Sequence, residues 1–235
     1  MEINMGTLFI VSTPIGNLKD ITLRAIELLQ SISVIACEDT RKTGMLLKHI
    51  RDTYPKDGVE KPQLISYFEQ NEFRRIPEIV SLLKNGQDVA LVSDAGTPLV
   101  SDPGYRLVHA CVDEGISIRA VPGPSSILAA LAVSGLPPDK FLFVGYPPHR
   151  PGHRKKLFES LKAQMISSTT ILFEAPHKLL KTLEELQEVL GDIDVVISRE
   201  LTKIYEEVRR EKLSESIDHF KKTPPKGEFT ILFHL

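Results

Sequence analysis

Tryptophan is missing from the 235 residues and cysteine occurs only twice. Two thiols, Cys37 and Cys111, cannot build a disulfide framework and lack the C-x-x-C spacing of a zinc or redox site, so both are expected to be reduced and structural. No two glycines stand two residues apart, which excludes the G-x-G of the dinucleotide fold, and no G-x-x-x-x-G-K phosphate loop is present. The longest apolar stretch, Ile127 to Leu136, is interrupted by Ser134 and Gly135 and falls short of a bilayer span. The N-terminus has no basic segment followed by an apolar one, so a soluble, cytoplasmic protein without membrane contact is expected. Lys and Arg number 29 against 31 Asp and Glu, a net charge of −2. Such a balance gives no global pull toward nucleic acid and leaves only a local patch able to supply one.

What is present suits a globular chain: 42% hydrophobic and 26% charged residues can bury a core. The length fits two modest α/β domains. Short β-rich runs at Thr7–Ser12, Ser33–Cys37, Gln63–Ser66, Asp88–Ser93 and Ser117–Val121 read as strands. Helices lie between them. Asp20 is the expected cap of a helix carrying Leu23, Ile26 and Leu29; Asn71–Asn85 ends at Gly86, and Tyr105–Glu114 ends at Gly115. This alternation predicts a largely parallel sheet with helices on its faces. Breakers are densest from Gly135 to Pro151, around a strand at Phe141–Gly145, so the domains are expected to be 1–136 and 137–235. A second alternation follows: a helix from Arg154, strand Thr169–Phe173, helix Pro176–Leu190, strand Asp194–Ser198, a charged strand near Glu206–Arg210, a helix near Ser214–Lys221 and strand Phe229–His234.

Ligands of open parallel sheets gather beyond the carboxyl ends of the strands. Three such ends carry unusual loops: Ser12–Asn17, Ser93–Gly104 and Pro122–Ser126. Pro, Gly, Ser and Asn serve any turn, so each loop alone reads equally well as a connection. Three on one edge of the first domain favour function. His149 and His153 have a four-residue spacing used by metal sites, but Pro151 and Gly152 between them break the helix that would align the rings, and no metal is expected.

Six ordered motifs carry a resemblance: Ser12-Thr13-Pro14-Ile15-Gly16-Asn17-Leu18-Lys19-Asp20; Glu38-Asp39-Thr40-Arg41; Ser93 to Pro98 with Ser101 to Gly104; Pro122 to Ser126; Phe173-Glu174-Ala175-Pro176-His177; and Arg199-Glu200-Leu201-Thr202-Lys203. Together they resemble the ribosomal RNA small subunit methyltransferase I family of the tetrapyrrole-methylase superfamily, over essentially the whole chain. The resemblance implies two α/β domains of the tetrapyrrole-methylase type, a homodimer, and S-adenosylmethionine (SAM) in the interdomain crevice. It implies methylation of a cytidine ribose 2′-oxygen in 16S, small-subunit ribosomal RNA, with that RNA or the assembled 30S subunit as partner. Around the cofactor it places Pro14, Asp94, Gly96, Thr97, Ser125 and Ser126 from the first domain. The second would contribute Glu174, Ala175, Leu201, Thr202, Lys226 and Gly227. The chain departs from the family pattern at Ala175, where Ser is common, and it stops at Leu235 where many members continue into a small helical domain. RNA binding is then expected to rely on the core, the dimer or other factors.

SAM carries a sulfonium, an ammonium and a carboxylate around an apolar adenine, so its site needs carbonyls, donors and an apolar slot. Ser125 and Ser126 at a helix N-terminus suit the anion, and Asp94 suits a hydroxyl or amine. For the transfer itself the candidates are Asp39, Arg41, Asp102, Glu174, His177 and the group Arg199, Glu200 and Lys203. Arg41, Glu200 and Lys203 come first, although strand ends also gather charges for structural reasons. Arg150, His153, Arg154, Lys155 and Lys156 form a basic stretch suited to phosphates, with Tyr146 beside it for stacking, and Lys221, Lys222 and Lys226 are similar. Two rivals share the architecture: a methyltransferase for a tetrapyrrole or other small molecule, and a non-catalytic RNA-binding assembly factor.

Overall fold

A computed structural model describes residues 5–235. The chain divides into two compact units, 1–125 and 126–235. The sequence places that division at Pro137. The helix between the two positions groups with the second unit because it lies on strands of the second sheet and Arg210 donates to the carbonyls of Val133 and Ser134.

In the first unit β1 (Thr7–Val11), β2 (Val34–Cys37), β3 (Gln63–Ser66), β4 (Val89–Val92) and β5 (Ser117–Val121) alternate with α1 (Leu23–Ser31), α2 (Thr40–Thr53), α3 (Glu72–Lys84) and α4 (Tyr105–Asp113). The strands pair in the order β3-β2-β4-β1-β5, all parallel. Strands β2 and β4 are buried along their whole length, as continuous Val, Ile, Leu and Ala runs demand when helices cover both faces. One face packs Val11, Ile35, Cys37, Ala90 and Val92 against Ile26 and Leu29 of α1 and Leu46, Leu47 and Ile50 of α2. The other packs Leu8, Val34, Ala36, Val89 and Leu91 against Ile79 and Leu83 of α3 and Leu107 and Cys111 of α4. Fully burying each such aliphatic side chain contributes about 1.5–3 kcal/mol.

Register brings the carboxyl ends level, with Val92 paired to both Val11 and Cys37, Val11 to Val121 and Cys37 to Ser66. The direction of winding reverses at the centre: β1 leads toward β2 on one side, and β4 leads toward β5 on the other. That reversal is the switch point where doubly wound sheets open a crevice at their carboxyl edge.

The second unit contains α5 (Ser126–Ser134), β6 (Phe141–Gly145), α6 (Pro151–Lys162), β7 (Thr169–Glu174), α7 (Pro176–Leu190), β8 (Asp194–Arg199), β9 (Glu207–Lys212), α8 (Leu213–Lys222) and β10 (Phe229–His234). Its sheet runs β6-β7-β10-β8-β9; β6 and β7 are parallel, and β10 is antiparallel to both of its neighbours, as β9 is to β8. Helices α6, α7 and α8 bury Phe158, Leu179, Leu183, Leu186, Ile217 and Phe220 against Leu172, Ile197, Phe229, Ile231 and Phe233.

Three local expectations change. Thr22, rather than Asp20, caps α1: its Oγ1 accepts from the Ala25 amide at 3.2 Å, while Asp20 closes a preceding 3₁₀ turn. Helix α6 starts at Pro151 rather than Arg154, because a proline in the first turn sacrifices an amide that would have no helical partner. Helix α2, which the sequence left unassigned, is capped by the Asp39 carboxylate on the Arg41 amide at 2.8 Å. Among the described residues no helix is long and apolar enough to cross a membrane.

Candidate functional site

At the switch point of the first unit the loops after β1 and β4 are joined backbone to backbone. The Thr13 amide donates to the Gly96 carbonyl at 2.8 Å and the Gly96 amide returns to Thr13 at 3.1 Å. Gly96 sits at φ +82°, a conformation that costs other residues strain, and a Cβ there would lie 3.4 Å from Ile15. Ser12 and Thr97 hydroxyls meet at 2.9 Å, and Thr97 also reaches the Pro124 carbonyl at 3.5 Å, which brings in the loop after β5. Pro14, Gly96, Thr97 and Ser125 therefore belong to one stitched rim, with Pro14 and Gly96 buried in it. Ser126 begins the nine-residue α5.

Asp94 lies on the same rim with its carboxylate already engaged. Its Oδ1 accepts from the Asp39 amide at 3.0 Å and its Oδ2 from Lys42 Nζ at 2.8 Å, tying β4 to the start of α2. The Asp94 bond raises the Lys42 pKa. Burial, followed by the Asp94 charge, raises that of Glu38. Arg41 is 87% exposed along its side chain and forks onto the Asp39 carboxylate at 2.7 and 3.1 Å. That guanidinium, with the Arg41 amide, holds Asp39 well below the usual carboxylate range. Beside them an open cleft of about 640 Å³ is lined by Glu38, Asp39, Asp94, Asp102 and, on its far wall, Glu72 and Tyr105. Glu72 is buried there and accepts from the Tyr67 hydroxyl at 3.2 Å and from Arg106 at 3.1 Å.

In the second unit one edge collects Glu174, Ala175, Arg199, Glu200, Leu201, Thr202, Lys203, Lys226 and Gly227. Glu174, Phe229, Arg199 and Glu207 pair in a row across the sheet, so the end of β7, the end of β8 and the start of β10 coincide. Leu201 and Thr202 follow the end of β8, and Lys226 and Gly227 lead into the start of β10. Glu174 is turned inward: one oxygen accepts from the Ala175 amide at 2.8 Å and the other from the Thr182 hydroxyl at 2.6 Å. Its charge anchors the first turns of α7.

The β8–β9 turn is strained. Glu200 and Thr202 adopt φ +50° and +68°, and such conformations in non-glycine residues persist only where surrounding contacts enforce them. Glu200 Oε1 accepts from Lys203 Nζ at 2.9 Å and from the Glu228 amide at 3.3 Å. Burial alone would raise the Glu200 pKa, but these two donors outweigh it and the value falls below the ordinary one. Arg199 donates to the Lys226 carbonyl at 3.0 Å and pairs with Glu207 at 2.7 Å. Thr202 Oγ1 is buried without a hydrogen-bond partner, beside buried Leu201. Glu200 and Lys203 are thus brought together, whereas Arg41 pairs with Asp39 in the other unit.

The basic stretch is only partly available. Arg154 is 2% exposed and forks onto Glu185 at 2.5 and 2.6 Å, with a third bond to the Pro148 carbonyl, so it is a structural cation. Lys155 pairs with Glu188 at 2.5 Å and Lys221 with Glu184 at 3.0 Å. Sequence reasoning missed these neutralising partners and also Lys42, since each lies dozens of residues away and no local pattern announces it. Among the described residues no group of three or more His, Cys, Asp or Glu is placed to hold a metal.

The family model for tetrapyrrole (corrin/porphyrin) methylases matches residues 7–216. A Thermotoga maritima protein named ribosomal RNA small subunit methyltransferase I is 48% identical over 97% of this chain and 98% of its own length. A Hydrogenobaculum protein of the same name is 44% identical over 96% of this chain and 94% of its own length. Among solved structures, uroporphyrin-III C-methyltransferase from Thermus thermophilus, in complex with S-adenosylhomocysteine, aligns with a TM-score of 0.63 over 97% of this chain and 96% of that one. At 17% identity that likeness shows the fold.

Proposed function

This chain belongs to the tetrapyrrole methylase family, within its ribosomal RNA small subunit methyltransferase I branch, and from that premise we propose that it methylates small-subunit ribosomal RNA at a cytidine ribose 2′-oxygen. SAM is the donor in this reading, and the enzyme works as a homodimer in the cytoplasm on the RNA or the 30S subunit. The observation that carries it is the near-complete coverage at 48% identity by a relative of that name, joined to a site whose groups suit the donor. Bound SAM supplies a methyl group already activated by its sulfonium.

The residues fit such a molecule. Thr202 Oγ1 is a buried hydroxyl lacking a partner, and Leu201 beside it is apolar. Gly96 and Gly227 bring bare backbone to each edge, both at positive φ, and at Gly227 a Cβ would collide with Glu200. We assign cofactor contact to Pro14, Asp94, Gly96, Thr97, Ser125 and Ser126, and to Glu174, Ala175, Leu201, Thr202, Lys226 and Gly227. Asp94 and Glu174 act chiefly by fixing the loops, since their oxygens are already engaged.

Positioning supplies most of the rate in a displacement of this kind, up to about 7–11 kcal/mol. The acceptor hydroxyl is weakly acidic, so a cation near its oxygen adds to that. Lys203 Nζ fills this role, and Glu200 is its positioning partner, holding the ammonium in place. To Arg41, whose guanidinium pairs with Asp39, we assign a supporting catalytic role as a further cation. The hydroxyl proton leaves to solvent as the new C–O bond forms and the C–S bond breaks.

Incubation with labelled SAM and small ribosomal subunits tests the reading directly. Label in the RNA, with a gap at the labelled nucleotide in an alkaline hydrolysis ladder, is the expected result, because a 2′-O-methyl group blocks attack on the neighbouring phosphate. Label in RNA without a gap, or label only on a tetrapyrrole, would name a different acceptor. Lys203→Met should lower kcat by about 10²-fold or more with SAM affinity unchanged.

A further inference from the structure

The basic residues around helices α6 and α7 divide into those with a carboxylate partner and those without. Helices α6 and α7 run parallel, as the successive contacts His149–Lys178, Arg154–Glu185 and Lys155–Glu188 establish. Both therefore begin at the same end of the unit, where β6 and β7 finish and where Glu174 stands. Where the two helices face each other, Arg154 and Lys155 are neutralised by Glu185 and Glu188. The other basic residues around the amino ends behave differently. His149, Arg150, His153, His177 and Lys181 are exposed, and among the described residues no carboxylate pairs with any of them or with Lys178. The Lys178 ammonium contacts His149 Nδ1, which holds the two amino ends together.

Arg150, Lys178 and Lys181 thus keep their positive charge on one surface of a chain whose net charge is −2, and the two helix dipoles add to it. Next to this surface the Tyr146 ring, 54% exposed, sits edge-on to Phe173 at 5.7 Å. Cations spaced along a surface with an exposed aromatic ring at its margin suit a nucleic-acid strand, whose phosphates need charge and whose unstacked bases need a flat partner. A small anionic metabolite would need one enclosed pocket rather than a spread of exposed donors.

We propose that the joined amino ends of α6 and α7, through Arg150, Lys178 and Lys181 with His149, His153 and His177, bind the RNA backbone on either side of the nucleotide to be methylated. Tyr146 stacks on an adjacent unpaired base. The inference rests on the RNA reading above. It also moves the contact away from Arg154 and Lys155, whose charges are spent within the fold.

The test uses the full chain and a small-subunit ribosomal RNA fragment, with affinity measured across a salt series. Arg150→Gln, Lys178→Gln and Lys181→Gln combined should weaken RNA binding at least tenfold near 0.1 M salt. The same variant should flatten the plot of log affinity against log salt by roughly 0.7–0.9 for each phosphate no longer neutralised by the protein. SAM affinity should stay as in the unaltered protein, which also shows that the variant is folded. Lys155→Gln should leave both RNA affinity and slope unchanged, and Tyr146→Ala should weaken binding without changing the slope. A triple variant that binds RNA with unaltered affinity and slope overturns the assignment while the RNA reading stands. Failure of the unaltered protein to bind or methylate small-subunit RNA overturns both.

Discussion

Gly227 joins the backbone geometry of the second unit to its chemistry. At φ +85° it occupies a region that L residues avoid, and a Cβ there would stand 2.5 Å from Glu200 Oε1. Glu200 cannot easily move away, since Lys203 and the Glu228 amide hold that same oxygen. Gly227→Ala should therefore destabilise the protein by about 1–3 kcal/mol. It should also release Lys203 from its partner and lower methyl transfer. The steric part of the effect belongs to Glu200, so denaturant unfolding of Gly227→Ala, Glu200→Ala and the double variant should show a favourable coupling. Strictly additive losses would mean that backbone strain alone makes this glycine necessary.

Hairpin β8–β9 shows at the element scale how charge can hold an edge strand. Arg199, Glu207, Arg209 and Glu211 alternate across it with ion pairs at 2.7, 3.2 and 2.7 Å. Burial pushes the Glu207 and Glu211 pKa values up, but the neighbouring arginines overcome it and both lie below their ordinary 4.5. Carboxylates with depressed folded pKa values contribute stability that is present above about pH 4.5 and is lost as the pH falls through the folded values. Hydrogen exchange should accordingly show β8 and β9 losing protection in acid before the parallel sheet of the first unit does, and Arg209→Gln should reduce that difference. Equal loss of protection in both sheets would remove the ladder from the explanation.

Elements of this kind were partly legible in the sequence. The buried strands β2 and β4 announced themselves as short β-rich apolar runs, the charged strand near Glu206–Arg210 was also read, and the glycines after α3 and α4 marked their ends. Insertion of β10 antiparallel between β7 and β8 did not, because alternation of strands and helices says nothing about which neighbour a late strand will choose. Helix α2 was hidden by its mixed composition, and Thr22 displaced Asp20 as a cap only because a 3₁₀ turn intervenes. The site motifs stood out as loops at strand ends. Their internal bonds, such as Asp94 to Lys42 across 52 residues, depend on the completed fold.

Across the whole molecule the two units have separate hydrophobic cores, with Leu172, Phe229 and Ile231 serving one and Ile35, Leu91 and Ile79 the others. Each unit is thus able to unfold in its own transition, and a ligand stabilises only the unit whose folded residues hold it. Cofactor contact has been assigned to residues of both, Gly96 and Thr97 in one and Leu201 and Thr202 in the other. SAM at about 100 times its dissociation constant should add about 2.7 kcal/mol to whatever unfolds together with the site. For a chain of this length that corresponds to a rise on the order of 5–10 °C. Calorimetry should then show the earlier transition rising with SAM until it meets the later one and both rise together, and Thr202→Val should shrink that shift. A rise confined to one transition, with the other fixed at all SAM concentrations, would restrict the cofactor to a single unit and remove the remaining assigned contacts.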